Sequence, residues 1–294
     1  METSLPLEKS APGRRRRRIS VPRVALQILV VVLAVMWVVP LWIMVVTPMK
    51  TFDEYVSGSQ WALPKDPANL LTNLSDAWNT AGLGSGFMAS LLYGISGAAL
   101  AILFGSMGAY GITRLRIRIP FFWFMLVFSG TIFPFQMYLI PLFQAYIHNG
   151  LYDTRLGLIL LYTAIAIPFC LFVMRGFFYT IPRELQEAAR IDGAHDFTIY
   201  RKVFMPLARG PIAVLFLFQL TWIWNDLLFG LVLSTSDGIR PVMPTLIGMQ
   251  GIYARSGPNV VLAGALMASI PTVALFLFLR RYMVRGLTLT TAGG

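Results

Sequence analysis

Six stretches of this chain are apolar and long: Val24–Val46, Phe87–Ile112, Pro120–Tyr146, Leu156–Tyr179, Pro211–Leu233 and Val260–Met283. A helix needs about 20 residues to cross roughly 30 Å of hydrocarbon, and each stretch reaches that length. Only 13% of the residues are charged, against about 25% in an ordinary soluble domain. The sequence therefore predicts an all-α integral membrane protein with six transmembrane helices. Arg14–Arg18 precede the first stretch as they would in a signal peptide. The stretch is too long for a signal sequence and no small-x-small site follows it, so it reads as a retained anchor. A single cysteine, Cys170, excludes an internal disulfide and any cysteine-held metal cluster. Two histidines, His148 and His195, leave little for a metal site or a catalytic base.

The net charge of +11 is unevenly placed. Nineteen basic residues fall on one side of the six stretches, including Lys9, Arg14–Arg18, Arg114, Arg116, Arg118 and the cluster from Arg175 to Arg209. Lys50, Lys65, Arg155, Arg240 and Arg255 fall on the other. The positive-inside rule then puts both termini in the cytoplasm. The organisation that follows is a basic tail over 1–23, a six-span domain over 24–284 with a cytoplasmic loop over 180–209, and a tail over 285–294. The arginine run is assigned to topology and to attraction by anionic membrane lipid, not to nucleic acid.

Within the second span, Gly97, Ala101, Gly105 and Ala109 recur every four residues, a small-residue stripe that lets another helix approach closely. Pro134, Pro141 and Pro168 interrupt the third and fourth spans, and each frees a backbone carbonyl. The fifth span contains an acid, Asp226. At 100° per residue it shares a stripe with Gln219, Trp222 and Gly230, with Asn225 at the edge. An acid in a span faces protein or water, so two readings stand with equal weight. Either the stripe lines a polar-aromatic path for a sugar, or Asp226 is a structural partner bonded to a neighbouring span.

The loop between the fourth and fifth spans reads IPRELQEAARIDGAHDFTIYRKVFMPLARGP. Pro182 suits a helix start, Glu184 and Glu187 suit its positive end, and Gly193 suits a left-handed stop. A second short helix is expected after it, with Phe197, Tyr200 and Phe204 on one side and Pro206 as its end. The result is a basic two-helix knob; a helix pair resting on lipid is the alternative. The run Glu187-Ala188-Ala189-Arg190, then Asp192-Gly193-Ala194, then Pro206, resembles the coupling motif of binding-protein-dependent ABC importer permeases, and most closely the maltose-type carbohydrate-uptake group. Trp224-Asn225-Asp226 and Arg285-Gly286-Leu287-Thr288 extend the resemblance over nearly the whole chain after residue 24. His195 departs from the pattern, because an imidazole caps a helix poorly and leaves Asp196 as a partial substitute.

The resemblance implies the type I ABC importer permease architecture in the plasma (inner) membrane of a bacterium or archaeon. It implies a transport subunit with no enzymatic activity, one half of a sugar pore. Its implied partners are a second, non-identical permease, two ABC ATPase subunits and an extracytoplasmic sugar-binding protein. ATP and Mg²⁺ would belong to the ATPases, and no cofactor to this chain. Glu187, Ala188, Ala189, Arg190, Asp192, Gly193 and Pro206 would meet the ATPase. Gly248, Met249 and Gln250, in the punctuated segment over 236–258, would form the tip that meets the binding protein; a short helix on the membrane is the alternative there. Gly286, Leu287 and Thr288 would reach between the ATPases, against a plain disordered tail. The chain has no P-loop of its own: Lys9, Lys50, Lys65 and Lys202 follow Glu, Met, Pro and Arg rather than the required Gly. A secondary transporter or channel without an ATPase is the main rival, disfavoured because Asp226 stands nearly alone among ionisable groups in the spans. Gly94-Ile95-Ser96-Gly97 also resembles the serine motif of rhomboid intramembrane proteases, but neither histidine falls near Ser96.

Overall fold

A computed structural model describes the backbone of residues 21–250 and 256–291, and the side chains of 25–250 and 256–278. The basic tail, including Arg14–Arg18, lies outside the described residues. The chain divides into two units, the first ending at Ile43 and the second beginning at Met44. The first unit contains most of α1 (Val21–Val46), whose apolar stretch Ala25–Met49 is long enough to cross a membrane.

The second unit continues with α2 (Phe52–Ser57), α3 (Asn69–Ser75), α4 (Leu83–Arg114), α5 (Pro120–Phe128), α6 (Leu139–His148) and α7 (Arg155–Thr180). After these come α8 (Arg183–Ile191), α9 (Asp196–Ile199), α10 (Met205–Leu207), α11 (Arg209–Trp224), α12 (Leu228–Leu233), α13 (Val242–Gly248) and α14 (Pro258–Thr291). Four helices are long and apolar enough to span, or six if each of two bent pairs counts as one span. The expected third span is one such pair, its arms Pro120–Thr131 and Phe135–His148 meeting at 86°. Pro134 stands at that break, where its missing N–H and fixed φ end helical continuity. The fifth span is also discontinuous: α11 stops at Trp224 and α12 resumes at Leu228. At the C-terminus, α14 runs on through Thr291, so Gly286, Leu287 and Thr288 lie in helix and not in a separate tail. Their side chains lie outside the described residues.

The α4–α7 pair is the centre of the second unit. The small stripe of α4 is buried along its length and faces α7, as the spacing predicts. A Cβ on Gly105 would stand 2.7 Å from Cys170 Cβ and 2.9 Å from the Leu171 backbone nitrogen. At the end where α4 begins and α7 begins, called here the far end, a polar knot ties the connectors together. Lys50, 2% exposed, donates from Nζ to the carbonyls of Ser59 (3.1 Å) and Gln60 (3.3 Å). Asn73 donates to the Pro48 carbonyl at 2.8 Å and accepts from Asn259 at 2.8 Å. The short α2 and α3 that build this knot have no counterpart in the span pattern.

A second far-end clasp joins the α6–α7 connector to the end of α12. Asp153, at φ 53°, donates its N–H to the Leu233 carbonyl. Its Oδ1 accepts from the N–H groups of Thr235 (2.8 Å) and Ser236 (3.0 Å), and Ser236 Oγ donates to Oδ2. Partial burial pushes this carboxyl up, but the hydrogen bonds from Ser236 and Thr235 outweigh it and hold the pKa down at about 2.

Two measurements test these contacts. Gly105→Ala overpacks the α4–α7 contact and should cost about 1–3 kcal/mol of stability. Gly111→Ala should be neutral, because nothing lies within 4 Å of a Cβ there; thermal unfolding in detergent compares them. The clasp predicts a pH dependence, because a depressed folded pKa makes its stabilisation complete above the unfolded carboxyl pKa near 4. That stabilisation fades as pH falls toward about 2. The melting-temperature gap between wild type and Asp153→Asn should therefore be constant from neutral pH to about 5 and close between about 4 and 2.

Candidate functional site

The knob is built as two helices whose inner sides are bonded to the ends of the spans. Gly193, at φ +79°, ends α8 in the left-handed conformation, and the Gly193 and Ala194 N–H groups satisfy the Arg190 and Ala189 carbonyls. His195 makes no cap bond; its ring meets Thr198 Oγ1 instead. Asp196 does not replace that cap either, because its carboxylate pairs with Arg190 at 2.8 Å, tying α9 to α8. That hydrogen bond raises the Arg190 pKa further. Pro206 stands at the end of the second helix, as expected. The helical run continues from Asp196 through Leu207, so it ends one residue past Pro206, and the chain bends by 77° beyond that point. Phe197 lies beside Tyr200, ring centroids 6.1 Å apart, but stays exposed while Tyr200 and Phe204 are buried.

Those two rings anchor the knob. Tyr200 and Ser106 hydroxyls meet at 2.8 Å, linking the knob to α4. Phe204 packs edge-on against Tyr110 (centroids 5.0 Å apart) and Phe178 (5.3 Å). Arg114, the last residue of α4, lies over Phe204 and donates to the carbonyls of Phe178 and Ile181 at the end of α7. Gln186 of α8 in turn donates to the Arg114 carbonyl at 3.3 Å. The outer side of the knob is free. Glu187, Ala188, Arg190, Asp192, Gly193 and Pro206 are exposed, Ala189 is half-buried, and Ile191 is 87% exposed. Of these, Ile191 was not singled out from sequence, because an isoleucine next to Asp192 reads as part of an inner face.

The stripe predicted in the fifth span does not persist, because α11 ends before it reaches Asp226. The Asn225 backbone turns out of helix, and Asp226 becomes the acceptor that starts α12, taking the Gly230 N–H at 3.0 Å and, more weakly, the Phe229 N–H at 3.5 Å. Tyr162 of α7 donates from Oη to Asp226 Oδ2, the oxygen that also takes the Gly230 N–H, at 2.9 Å. Asp226 is thus bonded to a neighbouring span, the structural arrangement left open from sequence. Asn225 is exposed and bonds back to the Thr221 carbonyl. Gln219, 4% exposed, donates to Cys170 Sγ at 3.7 Å. Gln219 and Trp222 do share a cavity, of about 170 Å³, with Phe135, Phe169 and Phe218. Tyr162 and these three rings were missed. Tyr162, Phe135 and Phe169 lie on other elements, and Phe218 is in α11 but off the stripe; the acid's need for a donor pointed toward Tyr162 alone.

At the far end, Gly248 closes α13 and Met249 is buried beside Leu83, Trp224 and Val261. A buried Met249 is not a projecting tip; Gly248 and Gln250 remain exposed. Residues 251–255 lie outside the described residues. Gly248, Met249, Asp237 and Arg240 border a polar cavity of about 440 Å³. Ser96 spends its hydroxyl on the Leu92 carbonyl one turn back, the ordinary use of a serine within a helix.

Four known proteins and families resemble this chain. The family model described as "Binding-protein-dependent transport system inner membrane component" matches residues 109–288. The melibiose/raffinose/stachyose import permease protein MelC of Bacillus subtilis is 32% identical over 253 residues, covering 85% of this chain and 89% of MelC. A probable ABC transporter permease protein of Pyrococcus horikoshii is 40% identical over 163 residues, 55% of this chain and 59% of that one. Among solved structures, a chain of a bacterial ABC transporter involved in import of the acidic polysaccharide alginate superposes with TM-score 0.76 at 22% identity, covering 93% of this chain and 99% of that one.

The Tyr162–Asp226 bond makes a checkable claim. A hydrogen bond to a charged group contributes about 1.5–3 kcal/mol. Tyr162→Phe and Asp226→Asn should each lower the melting temperature, and the double variant should lose less than the sum, as expected of residues in direct contact. Additive losses would show that the two side chains act separately.

Proposed function

Because the chain belongs to the family of binding-protein-dependent transport system inner membrane components, we propose that it forms half of the translocation pore of a sugar importer. It is a permease subunit of an ABC importer, a membrane transport component and not an enzyme, with the type I permease fold. It works with ATPases and a binding protein. The proposed assembly pairs it with a second, non-identical permease, two ATPase subunits that carry ATP and Mg²⁺, and an extracytoplasmic sugar-binding protein. The basic asymmetry supports the knob end, and with it both termini, facing the cytoplasm. Sugar as the cargo is supported by the relatives whose names specify sugars, such as MelC. The exposed Gly248 and Gln250, flanking the buried Met249, are the proposed neighbours of the binding protein, and the helical segment at Gly286, Leu287 and Thr288 the proposed neighbour of the ATPases.

One observation carries the mechanism. The knob exposes Glu187, Ala188, Ile191 and Gly193 on its outer side; on its inner side it is hydrogen-bonded to α4 through Tyr200 and Gln186 and packed through Phe204 against Phe178 of α7. Small residues admit a partner closely, and the rigid inner face converts the partner's displacement into movement of the spans as a body. ATP binding would close the ATPases, carry the knobs together and open the cavity outward. The aromatic cavity at Gln219 and Trp222 is the proposed sugar-contacting surface on this chain, since sugar rings stack on aromatic faces and the amide can donate and accept.

The test is uptake and ATP hydrolysis by the reconstituted complex across a panel of mono-, di- and oligosaccharides. Glu187→Lys reverses a contact charge, and Gly193→Pro forbids the +79° backbone that the turn requires. Each should cut transport roughly tenfold or more, because a misplaced like charge at an interface costs several kcal/mol. Membrane insertion should be unaffected in both. Full transport by both variants would remove the knob from the mechanism.

A further inference from the structure

Beside the knob, between the end of α4 and the inner edge of α8, lies a pocket of about 270 Å³ bordered by Arg114, Arg116, Arg183, Gln186, Glu187 and Arg190. Four guanidinium groups face one carboxylate. Arg190 is committed to Asp196, and Arg114 donates only to neutral carbonyls, with its Nε buried and unpartnered. Arg116 and Arg183 have no hydrogen bond or ion pair with any described residue. Arg183 also stands in the first turn of α8, where the helix dipole is positive and no side chain caps the free amides. Cations gathered in this way repel one another unless an anion joins them.

The depth of the pocket says which anion. Arg114 ends one span and bonds to the last carbonyls of another, so the pocket sits where the hydrocarbon stops and lipid phosphates begin. The chain leaving it carries Ile119, Phe121 and Phe122, all exposed, on the membrane side of Arg116 and Arg118. Arginine above an apolar edge fits a molecule with a phosphate and acyl chains better than an acidic protein surface. Guanidinium forks also match phosphate oxygens in pairs. We propose that this pocket binds the phosphate of an anionic lipid headgroup and so ties the root of the knob to the membrane surface.

Native mass spectrometry of the purified transport complex, titrated with phosphatidylglycerol or phosphatidylcholine, tests this. Arg116→Gln/Arg183→Gln should weaken phosphatidylglycerol retention roughly ten- to thirtyfold, from about a fivefold effect per basic residue near a membrane surface. Arg201→Gln, on the same loop but off the pocket, should leave it unchanged, and phosphatidylcholine should bind no differently in any variant. Wild-type retention by the double variant, or an equal loss in Arg201→Gln, would overturn the proposal. Displacement of phosphatidylglycerol by low-millimolar inorganic phosphate would assign the pocket to free phosphate and overturn the lipid. A double variant that keeps its lipid but sheds the ATPases would assign it to the ATPase contact, overturning the lipid while leaving the transport reading intact.

Discussion

Close approach of α4 to α7 is the contact on which the rest of the second unit depends. Lipid tails are as apolar as leucine, so helices in a membrane gain little by hiding apolar surface from one another and must gain by packing. Gly97, Ala101, Gly105 and Ala109 supply that packing by removing side chain where the backbones meet. Three consequences follow along α7. At its far-end half Tyr162 is held where its hydroxyl reaches Asp226. At its middle Cys170 meets Gln219. At its last turn Phe178 meets Phe204 and offers its carbonyl to Arg114. Cavity, broken span and knob are all referenced to one helix pair.

That arrangement divides the molecule into stiff and yielding parts. The knob root is stiff, because a buried hydroxyl pair, the Gln186 bond to the Arg114 carbonyl and the packing of Phe204 between Tyr110 and Phe178 all have to break before it tilts alone. Continuity is interrupted elsewhere: at Pro134, beyond Leu207, and from Asn225 to Leu227. Short unsupported stretches of this kind absorb backbone rotation during domain movement. On the proposed mechanism a push on the knob would reach α4 and α7 and be taken up at the breaks in the third and fifth spans, the first of which, at Thr131 and Phe135, borders the aromatic cavity.

The sequence made some of this legible and hid the rest for physical reasons. Span number and the packing stripe follow from length and from a four-residue period, both local properties. The turn at Gly193 follows from one residue's backbone freedom, and it was found at φ +79°. Continuity through Asn225 was assumed because apolar residues resume after it. Helical periodicity does not register that Asp226 accepts the first amides of a new helix, Phe229 and Gly230, and its donor Tyr162 lies on another element. Met249 looked like a loop tip from its neighbours Gly248 and Gln250, yet it is buried in the cluster around Trp224. Far-end α2 and α3 are short and polar, below the length at which any apolar period declares itself.

The position of Asp226 also limits what the pore surface can be. A carboxylate that already accepts from Tyr162 and Gly230 has little capacity left for a passing hydroxyl, and moving it would unstart α12. Gln219 keeps only a weak sulfur acceptor, and thiols are poor partners for an amide, so its hydrogen bonds can be exchanged at low cost. Trp222 and its neighbouring rings offer area without obligatory bonds. A surface of this kind holds a polar ring loosely, through faces and one exchangeable amide. Weak holding is what passage requires, because a site that bound its cargo tightly in both orientations of the pore would retain it. The acid thus contributes to transport by fixing the shape of the break, and the side chains best placed to touch the cargo are the ones that have least to lose by letting go.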